Sequence, residues 1–174
     1  AIGYASLYGT TGACNTALGS RTLCCNTCGA SNVAIGYNTL STSVTAASNV
    51  GVGDHALFKT NAPDNVGIGR NALRCNTAGK YNASVGTCAT YCNVIGGGNA
   101  ALGNCALWNV FSCNNVGVGN NAGACITTGC LNTAVGASAL MGYNTQVTGG
   151  DNVGVGYFAG GRISCGTGNV AVGA

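Results

Sequence analysis

The sequence predicts an all-β fold, a parallel β-solenoid (β-roll) of about eleven coils of 16–17 residues with inter-coil disulfides. Three observations lead there. A short motif, Asn followed by two small residues, an aliphatic residue and Gly, recurs ten times in 174 residues. Within the motif, apolar side chains alternate with the two-residue period of a strand. Gly is so frequent, 31 residues in all, that no stretch between motifs reads as a helix.

The repeat is set by Asn15, Asn32, Asn49, Asn65, Asn82, Asn99, Asn115, Asn132, Asn152 and Asn169. Successive steps are 17, 17, 16, 17, 17, 16, 17, 20 and 17 residues, and Ile2-Gly3 is the tail of one further copy. One copy cannot bury its own apolar face, whereas copies stacked at the roughly 4.8 Å spacing of paired strands share a continuous core. About eleven coils then make a rod roughly 50 Å long. Residues 1–174 read as a single array, expected to be a fragment of a longer fibre protein because both ends fall part-way through a repeat.

Each position of the motif carries an expectation. The recurrent Asn is expected to stack as a ladder, its amide bonding to the neighbouring coils; the alternative is that Asn merely tolerates a left-handed turn. The aliphatic before Gly and the residue two before it are expected to face the core. Between them stands a column limited to Ala, Gly or Ser: Ala17, Ala34, Gly51, Gly67, Ser84, Ala101, Gly117, Ala134, Gly154 and Ala171. Its small size suggests close approach of another backbone, from identical chains around a fibre axis or from a tight bend within one chain. The fixed Gly suits a corner with positive φ. Three residues later comes Ala, Thr or Ser, usually followed by Leu, as in Thr39-Leu40, Ala56-Leu57 and Ala106-Leu107, a second core-facing position.

The repeated Asn-x-Ala-Ile/Val-Gly-x-x-Ala-Leu resembles the head repeats of trimeric autotransporter adhesins and the repeats of tail-fibre and fibre-like proteins of phages and large viruses. The resemblance spans essentially the whole chain. It implies a parallel β-roll, commonly trimeric, serving as an adhesin head or a fibre shaft. The present coils are longer than those of adhesin heads and richer in cysteine.

Twelve cysteines are unusual where thiols are kept reduced, so an extracellular, cell-surface or virion-surface setting is expected. Several fall in register: Cys75 with Cys92, Cys88 with Cys105, and Cys113 with Cys130. Stacked Cα atoms about 4.8 Å apart lie inside the disulfide window of roughly 4.4 to 6.8 Å, which predicts these three as inter-coil staples. Cys14–Cys28 is a weaker pairing. Cys24 and Cys25 have no assigned partner, and Cys125 and Cys165, without in-register neighbours, are available to link chains.

Charged residues make up only 5% of the chain, and the net charge of +3 arises from dispersed Arg21, Lys59, Arg70, Arg74, Lys80 and Arg162 against three aspartates. Without a polybasic stripe, no nucleic-acid partner is expected. No apolar run approaches membrane-spanning length, so no membrane insertion is expected. Partners are expected to be other copies of the chain, in a trimer or an end-to-end filament, with a cell-surface receptor or glycan as a further candidate.

Enzymatic readings find little support, and no cofactor is expected. Cys25-Asn-Thr-Cys28 has the spacing of half a zinc site but lacks a second pair. Gly51-Val-Gly53-Asp-His-Ala56 matches the spacing of a dinucleotide fingerprint, yet it recurs at repeat intervals with no helix behind it. Asp54, Asp64 and Asp151 are the only carboxylates, and His55 beside Asp54 reads as a surface turn pair. Asn82-Ala-Ser84 fits a glycosylation sequon but sits on the ladder position. The leading function is a stiff structural fibre; an adhesin or receptor-binding head is favoured if aromatics gather on one exposed face. An ice-binding solenoid needs a regular Thr array, and the column Thr16, Val33, Val50, Val66, Ala83, Ala100, Val116, Thr133, Val153 and Val170 is poor in Thr and core-like.

Overall fold

The computed structural model describes residues 1–143 and 145–174. Ten three-residue strands lie in one parallel sheet in strict chain order: β1 (Thr16–Leu18), β2 (Val33–Ile35), β3 (Val50–Val52), β4 (Val66–Ile68), β5 (Ala83–Val85), β6 (Ala100–Leu102), β7 (Val116–Val118), β8 (Thr133–Val135), β9 (Val153–Val155) and β10 (Val170–Val172). The chain is thus a β-solenoid of about nine turns. Ile2, bridged to Leu18, adds an N-terminal rung outside the named strands, which accounts for the larger coil number expected from motif counting. Pairing holds every motif position over its counterpart, for example Gly51 over Gly67 and Val52 over Ile68.

The corner after each strand explains its invariant Gly. Gly53 has φ +129, and a Cβ placed there would stand 2.7 Å from the carbonyl oxygen of Gly69, the next corner. Gly103, at φ +138, would meet the Gly119 carbonyl oxygen at 2.5 Å. Backbone is stacked directly on backbone, so any side chain would push two coils apart. Past the corner the chain bends tightly through left-handed residues, including a run of leucines such as Leu57 at φ 52. A bulky residue in that region costs about 1–2 kcal/mol; complete burial of Leu23, Leu40, Leu57, Leu73, Leu107 and Leu140 offsets it.

The strand faces are inverted relative to the sequence expectation. The small column Ala17, Ala34, Gly51, Gly67, Ser84, Ala101, Gly117, Ala134 and Gly154 is buried inside the chain, with Ala171 half-buried at the C-terminal rung, so it is not the inter-chain contact column. The neighbour that demands small size is the leucine of the preceding coil. A Cβ on Gly67 would lie 3.0 Å from Leu57 Cγ, and one on Gly117 would lie 2.8 Å from Leu107 Cγ. With the middle residue of each strand turned inward, the flanking aliphatics point outward. The column from Thr16 to Val170 is therefore partly or fully exposed at every rung, not core.

A polar spine runs beside this core. Each ladder asparagine from Asn32 to Asn169 donates its backbone N–H to the Oδ1 of the preceding one at 2.9–3.0 Å. The Nδ2 groups of Asn15, Asn32, Asn49, Asn65, Asn82, Asn99, Asn132 and Asn152 reach a backbone carbonyl just before the following rung. Buried amides are thereby satisfied where no strand pairing exists. Asn82, the sequon residue, is held in this ladder and buried.

Eleven residues after the ladder stands a second polar column that motif alignment did not single out. Asn26, Asn76 and Asn93 each accept from the backbone N–H of the Gly three residues on and donate to its carbonyl. Further along, Val110, Ile126 and Ile163 take that place, all buried or packed against the core.

Candidate functional site

The inverted strands create a continuous apolar surface along the sheet. Two columns of aliphatic side chains stand outward along the sheet, one from Thr16 to Val170 and one from Leu18 to Val172. Leu18 is 44% exposed and Leu102 53%, values that matter because such residues follow one another along the strip, whereas a single exposed leucine is ordinary. Ten rungs at about 4.8 Å make the strip roughly 45 Å long, with no charged residue within it. Ala83 and Ala100 interrupt it with a depression of 220 Å³ bounded by Val85, Leu102 and Val118.

A second face carries the aromatics. Nine residues after the ladder, successive coils place Phe58, Arg74, Tyr91 and Trp108 in one column. The Arg74 guanidinium lies 5.6 Å from the Phe58 ring centre and 5.7 Å from that of Tyr91, and its Nη1 donates to Tyr91 Oη at 2.5 Å. Tyr91 and Trp108 stack at 6.4 Å. His55 extends the run, 5.2 Å from Phe58 and 5.5 Å from Tyr37. Its Nδ1 lies 2.5 Å from Asp54 Oδ1, and Asn38 Nδ2 lies 3.2 Å from its Nε2, an arrangement that fits a ring donating to the aspartate and accepting from the amide. Every hydrogen-bonding atom of the imidazole is thus occupied by a surface neighbour.

All twelve cysteines stand as free thiols, so the bridges Cys75–Cys92, Cys88–Cys105, Cys113–Cys130 and Cys14–Cys28 are not formed in this structure. In the three in-register pairs the Cα spacing of stacked strands, about 4.8 Å, lies inside the disulfide range. They remain neighbours: the Cys113 N–H donates to Cys130 Sγ at 3.5 Å, and burial, followed by the proximity of Cys75 and Cys88, raises the Cys92 thiol above its ordinary range. Cys105 is raised by burial and then by Cys88. Cys14 and Cys28 are out of register by three residues, since Gly12 stacks on Gly29. The closest thiols are instead Cys24 and Cys25, with Sγ atoms 3.7 Å apart.

Among the described residues no group of three or more His, Cys, Asp or Glu side chains converges as a metal-binding cluster, and no helix is long and apolar enough to cross a membrane. Comparison with family models, curated proteins and solved structures returns no match.

Proposed function

We propose that this chain is a stiff structural segment of an extracellular or virion-surface fibre, assembled from identical copies through the outward aliphatic strip. The observation that carries the reading is that strip: ten rungs of Val, Ile, Leu, Ala and Thr with partly or fully exposed side chains. Exposed apolar surface that is continuous and regular marks an association face. A second copy presents the same spacing, and three copies arranged around an axis can bury all three strips against one another, the trimeric arrangement that the resemblance to adhesin-head and fibre repeats implies. The contact thus moves from the small-residue column to the columns on either side of it.

Rigidity follows from the stacking. Each coil is tied to the next by strand pairing, the Asn ladder and corner-on-corner backbone, so bending the rod requires many bonds to stretch together. In an oxidising setting the neighbouring thiols Cys75/Cys92, Cys88/Cys105 and Cys113/Cys130 are the places where coils would be stapled, which non-reduced peptide mass spectrometry reads directly. Sedimentation with multi-angle light scattering tests the assembly. The expected result is a defined oligomer, shifted to monomer by Leu102→Glu and Val118→Glu together; a compact monomer at micromolar concentration removes the fibre reading.

The aromatic column favours a second reading, a receptor- or glycan-recognising head. Its rings stack chiefly on Arg74 and on one another, so the faces that a sugar would cover are largely occupied. Glycan-array binding lost on Trp108→Ala would move the assignment to this reading.

A further inference from the structure

Adjacent residues in a strand point to opposite sides, so two neighbouring cysteines rarely converge. Cys24 and Cys25 do. The turn that carries them begins at Leu23, left-handed at φ 50 and fully buried, and ends at Asn26, fully buried and bonded to Gly29 through both ends of its amide. The Cys25 N–H donates to the Ser41 carbonyl at 3.2 Å, and the Cys24 thiol reaches the same carbonyl at 3.4 Å. The dipeptide is therefore clamped on both sides by the core, with its sulfurs 3.7 Å apart, Cys25 exposed and Cys24 half-buried. Two sulfurs on one soft centre, with bonds of about 2.3 Å, stand roughly 3.3 to 3.8 Å apart for bond angles between right-angled and tetrahedral. The pair already has that separation.

Above Cys24 lies a cleft of 430 Å³. It exists because the column that holds Tyr8, Phe58, Tyr91 and Trp108 carries only Cys24 and Ser41 between Tyr8 and Phe58. Tyr4 and Arg21 also line it, so a planar organic group entering the cleft meets aromatic walls with the thiol beside it.

We propose that Cys24 and Cys25 form a chelating dithiol site for a trivalent, thiophilic centre of the organoarsenic(III) class, whose organic substituent lodges in the cleft between Tyr8 and Phe58. The chemistry is a condensation. Two As–S bonds form, two As–O bonds of the hydrated arsenical break, and each thiol proton leaves with a hydroxide as water; neither arsenic nor sulfur changes oxidation state.

The test uses phenylarsine oxide on the full reduced chain, with adduct stoichiometry and position read by intact and peptide mass spectrometry. One tight equivalent spanning Cys24 and Cys25 is expected, displaced by a dithiol but not by an equal concentration of a monothiol. Cys24→Ser and Cys25→Ser should each weaken binding at least tenfold and Tyr8→Ala a few-fold, while Cys28→Ser and Cys92→Ser leave it unchanged. An adduct on wild-type protein that maps to Cys25 and Cys28, or to the stacked thiols, overturns the proposal. So does binding that survives both Cys24→Ser and Cys25→Ser. Mapping on the unmodified chain keeps the result independent of how the variants fold.

Discussion

The two halves of the solenoid fill the same cross-section in different ways. From Leu23 to Leu73 every coil contributes a buried leucine to one column, and the column beside it is polar: Asn26, Ser43, Thr60 and Asn76. From Leu107 onward leucine alternates with Gly123 and Gly160, and Val110, Ile126 and Ile163 occupy the neighbouring column. The exchange is steric. A Cβ on Gly123 would lie 2.8 Å from both Leu107 Cδ2 and Ile126 Cδ1, so the volume given up at one position is occupied from the other. Between the halves, Ser84 and Thr90 form a buried hydrogen bond of 2.7 Å where leucine and a hydrogen or methyl group would otherwise meet. The hydrophobic core divides there, one cluster ending at Leu73 and the other starting at Ala89.

The comparison teaches that the backbone cross-section is fixed by the Gly corners and the Asn ladder, while its filling is negotiable. The largest expected effect therefore lies in what the halves share. Gly53→Ala and Gly103→Ala should each cost more than about 3 kcal/mol and by similar amounts, read as loss of cooperative unfolding and of amide protection around the corner. A harmless Gly103→Ala would mean that the corners do not set the cross-section. Next comes Asn65→Ala, which strips the buried Asn82 N–H of its acceptor, while the Gly79 carbonyl keeps the Asn76 amide as a donor; about 1–3 kcal/mol is expected from the unpaired N–H, by denaturant titration.

The filling itself is tested by a double-mutant cycle. Gly123→Leu should overpack by about 1–3 kcal/mol, and Ile126→Asn should bury an amide beside a void. Combined, they rebuild the N-terminal pattern, since Gly129 lies three residues past position 126 as Gly29 lies past Asn26. A favourable coupling of about 1–3 kcal/mol is expected; strict additivity would show that the two columns do not share one volume. Smaller still is the seam. Thr90→Leu alone leaves the Ser84 hydroxyl unpaired, whereas Ser84→Ala with Thr90→Leu joins the clusters and should raise stability by about 1 kcal/mol over the single variant, seen as a higher melting temperature.

The smallest effect is one of pH. Burial raises the thiols of Cys92, Cys105 and Cys125, so the unfolded chain ionises first as pH increases. Their contribution is complete below the ordinary thiol range and is lost as pH rises through the raised values. The melting temperature should thus decline modestly in alkali, and replacing the three by Ser or Ala should flatten that decline.

Most of the architecture was legible in the sequence because a fixed interval forces register: once Asn recurs at 16 or 17 residues, parallel pairing and the corner glycines follow. Which strand face points inward was not legible, because period-two alternation is symmetric between faces. Val50 and Val52 looked like core, and Gly51 like a contact point, until Leu57 of the same coil was placed inside against Gly67 of the next. The second column escaped notice because its identity changes from Asn26 to Ile126, which a search for one recurring letter cannot follow. For the thiols the interval is informative about Cα spacing and not about where the two sulfurs of a pair stand. Cys24 and Cys25 converge only through a left-handed turn at Leu23 that sequence does not announce.

The coil between Asn132 and Asn152 is 20 residues long, yet Asn152 still donates to Asn132 Oδ1 at 3.0 Å, and Val147 bridges Ile126 in the usual parallel sense. The ladder therefore records the number of turns and is indifferent to the length of chain within each. For a lineage that grows by copying coils, this separates two kinds of heritable change: duplication alters reach, and insertion within a coil alters only what is displayed along the side. A molecule of this design can acquire a new surface feature at a turn without renegotiating its length or the register of its other coils.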